Sequence, residues 1–246
     1  MRAPPAAWLL ALLFAAVPAA GAEALIAVAA NFLQPARALV TDFTKASGHH
    51  IELSGGSTGK LYAQVLNGAP YDALLAADQR RAAALEAAGI AVPGSRFIYA
   101  RGRLLLWSAE PALREAELIE RLRAGRFRKL AIANPELAPY GAAAREALRR
   151  LGLWEQLATR IVRGENVAQA YAMAASGAAE LAFIAASLQP RSGGAWLVPE
   201  TLHEPIHQDA VLLRHGAGNP AARAFLDWLR SPAARQRLQA YGYAVD

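Results

Sequence analysis

The chain contains no cysteine. Disulfides are therefore excluded, although an exported compartment would permit them. A lipoprotein anchor is excluded too, because it needs a cysteine at the cleavage site. Long apolar runs are also missing. Only residues 6–17 form one, and that run falls short of the roughly 18–20 apolar residues that span a bilayer. Arg2 precedes it and Ala20-Gly21-Ala22 follows it, which is the form of a cleavable export leader over residues 1–22. The mature protein is expected to begin near Glu23 and to be exported and unanchored. That suits the periplasm of a double-membraned bacterium.

Further absences narrow the chemistry. The five histidines have no metal-ligand spacing: His49 and His50 are adjacent, and Pro205 separates His203 from His207. Gly55-Gly56-Ser57-Thr58-Gly59 spells G-x-S-x-G, but no other nucleophile context accompanies it. Asp72, Asp78 and Asp209 have no spacing that selects a hydrolase. Asp209 suits a buried polar or hinge role equally well. The net charge is +6, and losing Arg2 with the leader makes it +5. The densest basic run, Arg121 to Lys129, has no interleaved aromatics for stacking on bases, so it reads as a solvated helix face and not a nucleic-acid site. Ser57-Thr58-Gly59-Lys60 resembles part of a P-loop, but Leu61 occupies the magnesium-binding hydroxyl position and the glycine spacing is too short.

What the chain does have is an alternation of apolar runs and helical patterns. Strands are expected at 25–29, 51–53 and 73–76, followed by helices at 35–47, 58–67 and 79–88. A second set follows: strands at 130–133, 160–162 and 181–184, with helices at 141–151 and 167–176. This rhythm predicts an α/β fold with parallel sheets covered by helices. Two strand-like runs around Arg101-Gly102 and a long one at 206–213 interrupt it. They predict two lobes, 23–101 with 208–246 and 102–207, joined by two crossing strands with a cleft between. Helices at 220–229 and 232–240 close the chain.

Ligands of such sheets bind at the carboxyl ends of strands, where helices begin. A helix start offers unpaired N–H groups and a positive dipole end, hence an anion site. Four turns stand there. Ala29-Ala30-Asn31-Phe32 supplies the Asn31 amide, either as a helix cap alone or as a donor to a ligand as well. Ser54 to Gly59 supplies Ser57 and Thr58, as an N-cap or as anion donors, the second being favoured. Asn134 to Gly141 supplies Tyr140, through its phenol, its backbone N–H, or only as a packed ring. Gly164-Glu165-Asn166-Val167 supplies the Val167 N–H behind an Asn166 cap. No Arg, Asp or Glu lies at the contact positions; Glu165 is the nearest carboxylate.

Taken in order, Ala27-Val-Ala-Ala-Asn31-Phe32, Ser57-Thr-Gly-Lys-Leu-Tyr-Ala-Gln64, Ala131-Ile-Ala-Asn-Pro135, Ala138-Pro-Tyr-Gly141, Gly164-Glu-Asn-Val167 and Gln208-Asp-Ala-Val211 resemble the periplasmic molybdate-binding (ModA) family of molybdate ABC importers. The resemblance covers essentially the whole mature chain. It implies a two-lobed class II periplasmic binding protein, not an enzyme, that carries molybdate or tungstate to a membrane permease. It implies no cofactor, no nucleic acid and a monomer. Carried over, the contacts are Asn31, where many members have Ser, then Ser57 and Thr58, with Thr58 favoured by a gapless count, then Tyr140 and the Val167 N–H. A tyrosine hydroxyl that many members use falls near Ala185 here and is missing. Sulfate, phosphate and organic carboxylates are the competing ligands. A carboxylate binder would be expected to show an Arg clamp, and none lies in these turns.

Overall fold

The computed structural model describes residues 21–111, 113–190 and 192–245. The expected leader lies outside the described residues except for its last two. In chain order the elements are β1 (Glu23–Ala29), α1 (Leu33–Ser47), β2 (His50–Gly56), α2 (Thr58–Leu66), β3 (Ala73–Leu75), α3 (Gln79–Ala87), β4 (Phe97–Gly102) and β5 (Leu104–Ser108). Then come α4 (Glu115–Arg123), β6 (Leu130–Ala133), α5 (Pro139–Arg150), α6 (Trp154–Leu157), β7 (Ile161–Gly164), α7 (Val167–Ala175) and β8 (Leu181–Ala185). The last are β9 (Gly194–Leu197), β10 (Ile206–Leu212), α8 (Pro220–Leu229) and α9 (Pro232–Ala240).

Two five-stranded sheets form, with orders β2-β1-β3-β10-β4 and β7-β6-β8-β5-β9. Each has the same plan: three parallel strands, then two antiparallel ones. The parallel strands are buried on both faces, as helical cover demands. On β1, Ile26 and Val28 pack with Phe32, Leu39, Phe43 and Phe225 on one side, and Ala27 packs with Leu61, Leu74 and Leu85 on the other. The second sheet repeats this: Leu104 and Leu106 meet Leu130, Ile132 and Phe183, while Leu105 and Trp107 face Ala131 and Ile184. The period-two alternation of strands divides each run between two cores.

The chain passes from the first sheet to the second between β4 and β5, and β10 returns beside β4 in antiparallel register, Ile206 opposite Gly102 and Gln208 opposite Ala100. The pairing shifts register between Gln208 and Asp209. Asp209 is fully buried; Arg96 Nη1 donates to it at 2.7 Å and Gln79 Nε2 at 3.4 Å. It is a structural carboxylate that ties α3 to the crossing strands. Among the described residues, no helix is long and apolar enough to cross a membrane.

Three expectations need correction. The basic run Arg121 to Lys129 is not one helix, because α4 stops at Arg123 and Gly125 takes a left-handed φ of 63°. The turn at Ser54 to Gly59 is much tighter than expected, because β2 runs to Gly56 and leaves Ser57 alone between strand and helix. Asn31 does not cap α1; the capping position is Phe32, and no side chain bonds there. Strand β9 carried no clear pattern after Gly193-Gly194. It forms as an edge strand on β5, Leu106 opposite Trp196.

Candidate functional site

All four turns sit at carboxyl ends of parallel strands, two in each lobe. β1 leads to Asn31, β2 to Ser57 and Thr58, β6 to Tyr140 and β7 to Val167. The lobes meet there. Gly59 N donates to Leu137 O at 2.8 Å, Arg81 Nη2 to Glu136 O at 2.8 Å, and Lys60 Nζ lies 3.1 Å from Glu165. Asn31, Ser57, Thr58, Tyr140 and Val167 line one small cavity of about 10 Å³ in this shut cleft, with Ala29, Ala77 and Asn166.

Backbone donors dominate the cavity. In the first turn Ala30 N donates to Gly56 O and Phe32 N to Ala29 O, both at 2.8 Å, which leaves the Asn31 N–H between them. Ser57 and Thr58 open α2, Tyr140 follows Pro139 in the first turn of α5, and Val167 is the first residue of α7. A helix cannot satisfy these first-turn donors itself. Among the described residues, no acceptor takes the backbone N–H of Asn31, Ser57, Thr58, Tyr140 or Val167. The Asn166 cap accepts from Ala168 N at 3.0 Å and Gln169 N at 3.1 Å, which leaves Val167 spare.

The two hydroxyls differ. Thr58 Oγ1 accepts from Ala77 N at 3.0 Å, which fixes the hydroxyl but leaves its proton to donate. Ser57 Oγ is buried without a partner. A buried unpaired hydroxyl costs about 1–3 kcal/mol, which a ligand oxygen would relieve. The Asn31 side chain faces away from this task. Its Nδ2 donates to Gln208 Oε1 and to Tyr243 Oη, both at 2.9 Å, so both hydrogens are engaged. Tyr140 Oη accepts from Gln208 Nε2 at 3.3 Å. Burial above all raises the phenols of Tyr99, Tyr140 and Tyr243 beyond the ordinary tyrosine range, so they stay neutral.

No charged side chain lines the cavity. Glu165, the nearest carboxylate, turns to Lys60 at the rim. A larger cleft of about 480 Å³ runs beside it between α3, α5 and β10. Its lining mixes Asp78, Glu146 and Glu204 with Arg80, Arg81, Gln79 and His207, so it is not a ring of neutral donors. Gln208, Tyr99 and Tyr243, which hold the site from behind, were not foreseen. Nothing in their spacing marked them; only the match over Gln208 to Val211 touched one.

The chain matches the model of the bacterial extracellular solute-binding protein family over residues 24–244. The molybdate-binding protein ModA of Azotobacter vinelandii is 45% identical over 235 residues, covering 94% of this chain and 93% of its own. That of Rhodobacter capsulatus is 43% identical over 233 residues, 94% and 92% of the two chains. This chain belongs to the ModA family. Among solved structures, the periplasmic molybdate-binding protein of Azotobacter vinelandii superposes with a TM-score of 0.86 at 39% identity, over 91% of this chain and all of that one. In this ModA family member the two-lobed α/β fold and the order of the turns thus agree with the expectation from sequence, and the family is one of transport binding proteins.

Proposed function

We propose that the chain is the exported, periplasmic component of an ABC importer that captures molybdate or tungstate and hands it to a membrane permease. The observation that carries this reading is the convergence of unpaired donors from both lobes on one cavity without charged side chains. Molybdate and tungstate are fully ionised tetrahedral dianions at neutral pH and need donors only. Phosphate keeps a proton and needs an acceptor, which no carboxylate of the cavity supplies.

The donors are the backbone N–H groups of Asn31, Ser57, Thr58, Tyr140 and Val167, with the Ser57 and Thr58 hydroxyls. Each bond to a charged ligand contributes about 1.5–3 kcal/mol. The free Ser57 hydroxyl favours Ser57 over Thr58 as the main side-chain donor, a reversal of the gapless count. The engaged Asn31 amide favours its backbone N–H as the contact, and the Tyr140 phenol, seated against Gln208 and Gly102 of the crossing strands, favours the same for Tyr140. Capture needs the lobes to part, because Gly59–Leu137, Arg81–Glu136 and Lys60–Glu165 shut the cleft over the cavity; they open about β4 and β10 and close on the ligand, which selects the shut form. The protein acts as a monomer without cofactor.

Calorimetry on the mature chain with molybdate, tungstate, sulfate and phosphate tests this. Tight binding of the first two, weak sulfate and no phosphate is expected. Tight phosphate binding without a molybdate response overturns it.

A further inference from the structure

Gln208 lies on the returning strand β10 and is fully buried. Its Oε1 accepts from Asn31 Nδ2 and from Tyr99 Oη, both at 2.9 Å, so both lone pairs are used. Its Nε2 donates to Tyr140 Oη. One amide therefore holds a cavity residue from each lobe while standing on the strand about which the lobes would turn. It also sits where β10 shifts register against β4. Gly102, beside it on β4, has no room for a Cβ, which would collide with Tyr140 Oη and Gln208 Nε2. The Asn31 peptide is held from a second side, because its carbonyl accepts from Tyr243 Oη at 3.0 Å and from Ser187 Oγ of the other lobe at 2.8 Å.

We propose that Gln208 is a positioning residue that couples lobe closure to the donor set: it aims the Asn31 turn and draws Tyr140 in only when the crossing strands adopt the shut arrangement. This rests on the oxyanion-capture reading of the cleft. The amide's acceptor end is chemically matched to its partner. Asn31 Nδ2 can only donate, so it fixes Oε1 on its side, and reversing the amide would set two N–H groups against each other, while the Tyr99 and Tyr140 hydroxyls adapt to either end. A residue that merely filled the core would need no such polarity.

Because the chain has no cysteine, the two lobes can be labelled cleanly through Ala63→Cys on α2 and Ala172→Cys on α7, both exposed positions. The label distance is measured by pulsed spin resonance, without ligand and with saturating molybdate. Wild type is expected to shorten on molybdate. Gln208→Met should keep a longer-distance population in both conditions and release molybdate about fivefold to tenfold faster, the equivalent of one or so net hydrogen bonds. Tyr140→Phe keeps the ring and removes the far end of the bridge. It should show the same open population, and the double variant should be no more open than Gln208→Met alone.

Gln208→Met with a wild-type distance distribution in both conditions overturns the inference, whatever the ligand proves to be. Should that variant fail to fold, Tyr140→Phe closing as wild type overturns it equally. Additive opening in the double variant also overturns it. A wild-type protein whose distances ignore molybdate sinks the capture reading instead, while the ligand-free comparison still decides for or against Gln208.

Discussion

The two walls of the cavity are built alike and equipped differently. Both come from the carboxyl ends of parallel strands in sheets of one plan. The first lobe's wall adds side-chain hydroxyls to its backbone donors, Ser57 Oγ without a partner and Thr58 Oγ1 fixed by Ala77 N. In the proposed donor set the second lobe's wall contributes backbone N–H groups, from Tyr140 and Val167 at the starts of α5 and α7. The difference teaches that half of such a site is invisible to side-chain deletion. An alanine scan would report the first wall and miss the second.

The largest expected effects set the walls against each other. Val167→Pro deletes one N–H and replaces a buried isopropyl group with a ring of similar size. Proline suits the first helical position, and Asn166 ahead of it is already extended at φ −142° and ψ 175°, as a residue before proline prefers. Molybdate affinity should fall about tenfold to a hundredfold, the value of one bond to a charged ligand, with the melting temperature nearly unchanged. Ser57→Ala should cost similar affinity yet leave the ligand-free protein equally or more stable, because it removes an unpaired buried hydroxyl without losing a cap. Calorimetry and thermal melts read both. A Val167→Pro protein that binds like wild type removes the second wall from the site.

Most of this architecture was legible in the chain. The alternation of apolar runs and helical patterns placed the parallel strands, and Asn166 and Ser57 marked helix starts, while α5 begins at Pro139, two residues before the expected 141. What stayed hidden has a common cause. Asn31 reads as a cap or a ligand donor because its neighbours are local, but its amide is taken by Gln208 and Tyr243, 177 and 212 residues away. Long-range polar partners leave no periodic trace. The choice between Ser57 and Thr58 likewise turns on Ala77 N, which a strand on the far side of α2 brings in. Strand β9 was missed because its four residues start on the second glycine of a pair and pair only at one edge.

An intermediate effect probes the seam between the walls. Gly59 opens α2 against Leu137 of the other lobe, and a Cβ there would lie 2.8 Å from Leu137 O and 3.0 Å from its Cα. Both are backbone atoms that cannot swing aside. Gly59→Ala should wedge the cleft while leaving every donor in place. Forcing such a contact costs about 1–3 kcal/mol, all of it in the shut form, so affinity should drop about tenfold and the solution radius of gyration with molybdate should stay near the ligand-free value. Full compaction of the variant would show that closure does not need this seam.

The smallest effect is expected at the rim, where the walls also touch through charge. Lys60 and Glu165 pair across the cleft at 3.1 Å, but their side chains are 51% and 36% exposed. Exposed pairs contribute about 0.2–1 kcal/mol and fade with salt. Lys60→Ala should therefore weaken molybdate binding by less than about fivefold, and the difference should vanish in concentrated salt. The comparison with Ser57→Ala is decisive for the chemistry of the cleft. Neutral donors and a cation both attract a dianion, but only the cation's share is screened from outside. If Lys60→Ala were the more damaging change, and salt mimicked it in the wild type, the anion would be held chiefly by rim charge, and the ring of uncharged donors would be scaffolding.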